Sequence, residues 1–251
     1  MRLFLHELRA QQLLFWRNRE AAFFTFFLPV IFFVLFGAIY GNDVISSEHV
    51  RGAAYLEAGM IGYGVASTAF AGLAISLVIR RESGVLKRLR GTPLPPSTYL
   101  AALLASTFVV FALQTVLIVL LGRYLYDVHF PHRPFSVALT VLLGAAAFAA
   151  LGLAITGFVR SAEGSSAVVN AIYLPMAIIS GTFFSPHAYP GFLRAIADVL
   201  PLTYFTRLAR ATMLHDKQIW SQPGSVAAVA IWGAVGLAFA VRRFRWEPRE
   251  R

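Results

Sequence analysis

The sequence predicts an all-α integral membrane protein with six transmembrane helices and both ends in the cytoplasm. Three observations predict it. The composition is too apolar for a water-covered surface, six apolar runs are long enough to span a bilayer, and the basic residues fall on one side of the resulting topology. Hydrophobic residues make up 58% of the 251 and charged residues 14%, with 22 Phe, 19 Gly and only 12 Asp plus Glu. A water-soluble surface needs roughly a quarter of its residues charged, so lipid must cover much of this chain. The net charge of +10 would suggest nucleic acid in a soluble protein; here it reflects topology. Cys is absent, which excludes disulfides, thiol chemistry and cysteine metal sites. The six His are scattered and suggest no metal site.

A span needs about twenty mostly apolar residues, because the hydrocarbon is about 30 Å thick and a helix rises about 1.5 Å per residue. Residues 21–40, 59–79, 99–122, 135–158, 167–184 and 223–241 meet that requirement. The first run is too long, and starts too far from the N-terminus, for a cleaved signal, so it reads as a retained helix. The fifth is the least clean. It carries Asn170 and Pro175 and ends in the polar turn Ser180-Gly181-Thr182. The stretch 190–214 carries Arg194, Asp198, Arg207 and Arg210 and is too charged to span. It reads as one or two short helices broken at Pro201, lying at the interface or dipping into a protein-lined cavity.

With the N-terminus inside, Arg2, Arg9, Arg17, Arg19, Arg80, Arg81, Lys87, Arg88, Arg90, Arg160, Arg242, Arg243, Arg245, Arg249 and Arg251 become cytoplasmic. That is 15 of the 22 Lys and Arg, while the 12 acids divide evenly between the two sides. Basic residues concentrate on cytoplasmic loops, so this orientation is the expected one. Trp16, Trp220 and Trp246 lie just outside the predicted hydrocarbon, where interfacial aromatics anchor a helix.

Residues 2–20 form a separate element. Phe4, Leu8 and Phe15 fall on one helical stripe with Arg9, Gln12 and Arg19 elsewhere, the pattern of a surface-lying amphipathic helix. The loop after the second span is rich in signals. A short helix over residues 82–90 would be ended by Gly91 and kept from continuing by Pro93, Pro95 and Pro96. Val85, Leu86 and Leu89 then form an apolar patch inside a basic rim. Such a helix is either a docking knob for a partner protein or a basic loop that sets topology and touches lipid headgroups.

Within the spans, Gln114, Asn170, Thr156 and Ser76 either line a substrate path or hydrogen-bond a neighbouring helix. Glu57 sits near the external end of the second span, partly buried or in the headgroup region. Gly37, Gly62, Gly72, Gly144 and Gly152 are expected at close helix contacts. Phe23, Phe24, Phe26, Phe27, Phe32, Phe33 and Phe36 surround the whole first span, so most of them must face lipid or other helices.

Two motifs carry a family resemblance. The first is Glu82, Gly84, Leu89, Thr92 and Pro93 in the first cytoplasmic loop, with Ser83 where Arg is frequent and Val85 where Thr is frequent. The second is Ser180-Gly181-Thr182-Phe183-Phe184-Ser185-Pro186 followed by Pro201-Leu202-Thr203-Tyr204, with Arg207 and Arg210 after it. In these, and in its six spans, the chain resembles the permease subunits of ABC-2 type transporters, in the drug-resistance and lipid or polysaccharide exporter branch. The resemblance covers essentially the whole chain as one transmembrane domain, residues 1–251. It implies that residues 2–20 are a connecting helix along the inner membrane surface. It implies that the loop 80–91 holds a coupling helix, with Glu82, Gly84, Val85, Leu86, Leu89, Thr92 and Pro93 as its ATPase-coupling residues. It also implies an external re-entrant helical hairpin at 183–214. There Ser180, Gly181, Phe183, Phe184, Pro201, Tyr204, Arg207 and Arg210 would act as the gate, while Gln114 and Asn170 remain candidates for pathway lining.

The functional expectation follows. The chain lacks a Walker A segment, since its lysines, Lys87 and Lys217, do not follow Gly. It has no His-Glu-x-x-His and no credible nucleophile–base pair, so it reads as a non-catalytic subunit. The resemblance implies a permease of an ATP-driven exporter in the prokaryotic cytoplasmic membrane. It would hold no cofactor itself and would work with a pair of ABC ATPase subunits that bind Mg-ATP, and with a second permease copy, identical or a close paralogue. It would contact membrane lipid and no nucleic acid. The Phe-rich spans favour a hydrophobic or amphipathic substrate, a drug or a lipid, as in multidrug efflux and antibiotic resistance. A polysaccharide or glycolipid exporter and an ion-coupled carrier are the alternatives.

Overall fold

The structure, a computed structural model, describes residues 1–45, 49–159, 161–186, 189–244 and 246–247. Arg160, Arg245, Arg249 and Arg251, counted above toward the cytoplasmic side, lie outside the described residues. Ten helices carry the described fold: α1 Arg2–Arg17, α2 Arg19–Tyr40, α3 Gly52–Glu82, α4 Val85–Arg90, α5 Pro96–Tyr126, α6 Pro134–Thr156, α7 Ala162–Ile179, α8 Gly191–Ala197, α9 Pro201–Met213 and α10 Pro223–Arg243. Six of them (α2, α3, α5, α6, α7 and α10) are long and apolar enough to cross a membrane. The chain is therefore an all-α multi-pass membrane protein. Its described strands, Val44–Ile45 and Val50–Arg51, make one small antiparallel pair with Val44 opposite Arg51.

The boundaries follow from local chemistry. Asn18 separates α1 from α2, and its side chain accepts from the Ala21 amide to cap α2. Pro occupies the first helical position of α5, α6, α9 and α10, where its missing N–H removes no intrahelical bond. The second span is longer than the apolar run suggested. It starts at Gly52, so Glu57 lies inside the helix, buried by protein at 1% exposure. Hydropathy hid this because Gly52, Tyr55 and Glu57 dilute the apolar signal.

α3 is the axis of the molecule. α2, α5, α6, α7 and α9 all pack on it. At 31 residues it is about 46 Å long, well over the roughly 30 Å of hydrocarbon, so it tilts or projects beyond the bilayer. Its middle, Val65–Gly72, is a π-helical segment. α6 supplies the other half of the core with small residues. Gly144 receives the Phe205 ring and Gly152 lies against the Phe70 carbonyl, while Ala147 and Leu151 receive Gly233 and Gly236 of α10. These close approaches replace the hydrophobic driving force that helices lack in lipid. Gly37 and Gly62 act in the same way, against Tyr126 and Thr206. Gly72 does not: it is exposed, and a Cβ there would meet only the Ser67 carbonyl.

α1 lies along α5. Phe4, Leu8 and Phe15 are half-buried on the protein side, as the stripe suggested. Gln12, expected elsewhere, also faces the protein and donates to the Ser106 carbonyl and hydroxyl at 3.0 Å. Leu3, Leu5, Leu13, Leu14 and Trp16 point outward, so α1 has an apolar outer face. The Phe ring of α2 is divided. Phe33 is fully buried, Phe32 and Phe36 pack on Phe183, and Phe23, Phe24 and Phe27 stay exposed. Trp220 is exposed, but Trp246 folds back against Tyr99 and Phe244.

Gln114 acts as a tie between helices. Its Nε2 donates to the Thr25 carbonyl of α2 at 2.7 Å and its Oε1 accepts from Thr68 of α3 at 3.1 Å, at 2% exposure. Gln114→Leu is expected to destabilise the protein by about 1 kcal/mol, read as a lowered unfolding midpoint in detergent. Asn170, on α7, is half-buried.

Candidate functional site

Two clusters at opposite ends of α3 hold the residues singled out from the sequence. At the basic end, α3 finishes with Arg80, Arg81 and Glu82. Gly84 then adopts φ +73°, a left-handed value that favours Gly over any residue with a Cβ. A Cβ there would meet nothing within 4 Å, so the requirement is conformational. The expected helix over 82–90 is therefore two pieces. Glu82 belongs to α3, and α4 begins only at Val85. Gly91 ends α4, and the Thr92 hydroxyl donates back to the Leu89 carbonyl at 2.7 Å. Pro93 is exposed beyond that turn.

The apolar patch of α4 faces inward, contrary to a knob that presents Val85, Leu86 and Leu89 together. Leu86 is fully buried, Leu89 is half-buried against the core, and only Val85 is exposed. What α4 presents outward is Lys87, Arg88 and Arg90. The apolar side pins the helix to the bundle, which leaves the cationic side exposed.

The anchor of this end is Arg81, which the sequence reading counted only as a topology charge. It is 2% exposed. Its Nε pairs with Glu82 Oε1 at 2.7 Å, Nη1 donates to the Thr156 carbonyl at 2.8 Å, and Nη2 donates to the Val159 carbonyl at 2.7 Å. Thr156 is the last residue of α6, so Arg81 satisfies carbonyls that the helix end leaves open and places a cation where the helix dipole favours one. Glu82, the acidic residue of the loop motif, thus neutralises a buried guanidinium. Its neighbour Arg80 reaches the other way, donating to Gln11 Oε1 at 2.7 Å and the Tyr99 hydroxyl at 3.0 Å. Arg80 and Arg81 thus tie the end of α3, from which α4 continues, to α1, α5 and α6.

At the opposite end, α7 stops at a turn through Ser180, Gly181 and Thr182. Gly181 has φ +80°. The Gly181 carbonyl accepts from the Tyr55 hydroxyl at 3.2 Å and from Arg210, whose guanidinium lies 3.8 Å from the Tyr55 ring centroid. The Ser180 carbonyl accepts from Thr206 at 2.9 Å. Phe183 packs on Phe32, Phe36 and Tyr63, and Phe184 meets Phe36 and Tyr40. Pro201 starts α9, which is buried along most of its length against α3, α6 and α10. The structure thus brings Ser180, Gly181, Phe183 and Arg210 together, while Pro201 stands at the far end of α9 as its first residue. Tyr204 and Arg207 stand apart on the outer side: Tyr204 donates to the Asp198 carbonyl at 2.7 Å, and Arg207 pairs with the Asp198 carboxylate. Burial pushes the Tyr189 hydroxyl above its ordinary pKa, with Arg210 lowering it in part.

Several polar atoms in this cluster are unsatisfied. The hydroxyls of Ser180, Thr182 and Thr203 are buried without a hydrogen-bond partner among the described residues. Each such group costs about 1–3 kcal/mol. A neighbouring acid shares the condition. Glu57 Oε2 is buried with no such partner and rests on Gly122, where a Cβ would lie 1.9 Å away. Sequence reasoning missed Tyr55 and Thr206. The only signal for either was helical phase, since Tyr55 falls on the face of α3 that Gly59 and Gly62 open to the turn and to α9.

The fold is thus a bundle of six helices long and apolar enough to cross a membrane, with an N-terminal helix lying along α5 and a short cationic helix after the second span. The chain belongs to the ABC-2 type transporter family, whose model matches residues 2–214. It is 27% identical over 190 residues to YvfS of Bacillus subtilis (strain 168), named as a transport permease, covering 75% of this chain and 76% of that one. It is 27% identical to the daunorubicin resistance ABC transporter permease protein DrrB1 of Streptomyces coeruleorubidus, covering 77% of this chain and 68% of the relative. It is 23% identical to the inner membrane transport permease YadH of Escherichia coli (strain K12), over 69% of this chain and 68% of the relative.

Proposed function

We propose that this chain is the membrane half of an ATP-driven exporter that moves a hydrophobic or amphipathic molecule, a drug or a lipid, out of the cytoplasm. The basic end is cytoplasmic, two permease copies form the pathway, and a pair of separate ATPase subunits binds Mg-ATP. The observation that carries this reading is the cytoplasmic anchor. α4 turns Lys87, Arg88 and Arg90 outward while Leu86 holds it to the core and the Arg81–Glu82 pair fixes the end of α3, just before it, to α6. A surface helix held this rigidly transmits a push instead of absorbing it. The named relative in daunorubicin resistance supports a hydrophobic drug-like substrate.

In this reading ATP-driven closure of the ATPases displaces α4. The displacement passes through Arg81 to the end of α6 and through α3 to the opposite end, where the Gly181 turn and α9 act as the external re-entrant gate. The unsatisfied hydroxyls of Ser180, Thr182 and Thr203 favour opening, because water admitted to the gate would satisfy them. The tie made by Tyr55, Arg210 and Gly181 favours closure. Each arrangement of the gate thus has contacts that favour it, as a switching element requires.

The test is purification of the tagged chain from its native membranes with whatever co-purifies, followed by ATPase assay in lipid vesicles. Lys87→Glu with Arg88→Glu reverses exposed charges and leaves the buried anchor intact. The double variant is expected to stay folded and to lose at least tenfold of the co-purifying ATPase. An ATPase that stays bound and coupled to the double variant would remove α4 from the interface. Solute movement under an ion gradient by the chain alone would replace the exporter reading with a carrier.

A further inference from the structure

At the basic end, inside a single copy of the chain, a cleft of about 200 Å³ opens between α1, α2, α3 and α5. It is polar for a membrane-embedded cavity. Gln11, Thr68, Ser76, Arg80, Ser106 and Thr107 line it, with Leu73, Leu103 and Val110 on its apolar wall. Arg80 and Thr68 are twelve residues apart on α3, so the lining extends about 18 Å along the helix axis. We infer that this cleft holds the phosphate-bearing headgroup of a phospholipid from the adjoining leaflet, with Arg80 on the phosphate.

Three observations carry the inference. First, Arg80 is the cationic side chain lining the cleft, and its hydrogen bonds to Gln11 and Tyr99 both leave from Nη1. Nε and Nη2 form no hydrogen bond among the described residues, so the fork that grips a phosphate is unspent. Second, the charge is preorganised and not cancelled. Gln11, itself 3% exposed, orients Nη1, and the nearby carboxylate of Glu7 is taken up by Gln11 Nε2 at 2.6 Å and does not line the cleft. Third, the setting is that of a lipid and not of a soluble ion. The outer face of α1 is apolar at Leu3, Leu5 and Leu13, which sets the helix at headgroup depth, while Leu14 and Phe15 line the cleft. The cleft beside it mixes hydroxyls and aliphatic side chains along its length, Arg80, Ser76, Leu73 and Thr68 on α3 and Leu103, Ser106, Thr107 and Val110 on α5, so its walls meet both the polar and the apolar parts of a phospholipid. Basic pockets between membrane helices take headgroups by this chemistry.

The inference does not depend on the transported molecule or on an ATPase. The full-length chain, purified in mild detergent and stripped of lipid, is titrated with dihexanoyl phosphatidylglycerol, dihexanoyl glycerol or sn-glycerol 3-phosphate, reading the unfolding midpoint. Phosphatidylglycerol is expected to raise the midpoint saturably, and the other two to leave it unchanged. Arg80→Gln is expected to raise the half-saturating concentration at least tenfold. Ser76→Leu fills the cleft with Arg80 in place and is expected to do the same, which keeps the test decisive should Arg80→Gln fail to fold. Equal stabilisation by dihexanoyl glycerol, or unchanged saturation in the folded variants, would overturn the assignment. Saturation by glycerol 3-phosphate alone would make the ligand a soluble phosphate ester and overturn the lipid.

Discussion

Arg81→Ala is expected to lower stability by about 3–5 kcal/mol, the range for breaking a buried ion pair from one side, and to loosen the end of α3 that carries α4 from α6. The guanidinium serves three acceptors at once: Glu82 Oε1 and the carbonyls of Thr156 and Val159. Its loss leaves the end of α6 without its cap and a partly buried carboxylate without its partner. Arg81→Lys should recover little, because one ammonium cannot span acceptors set out for a planar fork. Glu82→Gln should be milder, near 1 kcal/mol, since both carbonyl bonds survive. Unfolding in detergent orders the three variants. An Arg81→Ala protein that unfolds at the native midpoint would show that the anchor contributes nothing. The same variants assayed with the co-purified ATPase separate the two roles: hydrolysis without its response to substrate would mark α4 as bound but no longer connected to the spans.

The second large effect is expected at Gly59. A Cβ there would sit 1.9 Å from the backbone oxygen of Thr182. That oxygen belongs to a turn held by Gly181 at φ +80°, by Tyr55 and by Arg210. Neither α3 nor the turn can yield alone, so Gly59→Ala is expected to cost about 3 kcal/mol or more through overpacking. If that turn is the gate proposed above, Gly59→Ala should also give solute leak without ATP in reconstituted vesicles. Gly224→Ala is the control. It lies in α10 with nothing within 4 Å of the added methyl and should be neutral or stabilising by up to about 1 kcal/mol. If Gly59→Ala behaves like Gly224→Ala, the contact between α3 and the turn is not a packing constraint.

The spans were legible because a bilayer demands about twenty apolar residues in a row, and a one-dimensional signal suffices to see that. Their ends were less legible where polar residues interrupt hydropathy. α3 begins seven residues before the apolar run, and the interruption contains Tyr55 and Glu57, one in the turn cluster and the other buried on Gly122. Arg80 and Arg81 are adjacent and identical in the sequence, yet one lines a cleft and the other caps a helix. Only the angular position of each around α3 decides that, and the angle depends on the π-helical turns upstream. The start of α4 did have a readable sign. Gly84 stands where a helix C-terminus prefers a left-handed residue, but the motif's continuity across 82–90 made it look like helix interior. Gln114 shows the opposite difficulty. A polar residue in a span signals a partner but not which kind, and here the partners are two neighbouring helices.

The π-helical segment Val65–Gly72 sets the phase between the two ends of α3. A wider turn takes in about one residue more than an α-turn, and each residue is worth about 100° around the axis. The segment therefore works as a fixed angular offset between the half that meets the Gly181 turn and the half that carries Arg80 and Arg81. Conversion of the segment to α-helix would wind one half against the other about a common shaft. Arg81 would leave the carbonyls of α6 without any bend in the helix or any change in its apolar character. Torque along α3, and not only thrust, is thereby open to this protein as a way of moving one end from the other.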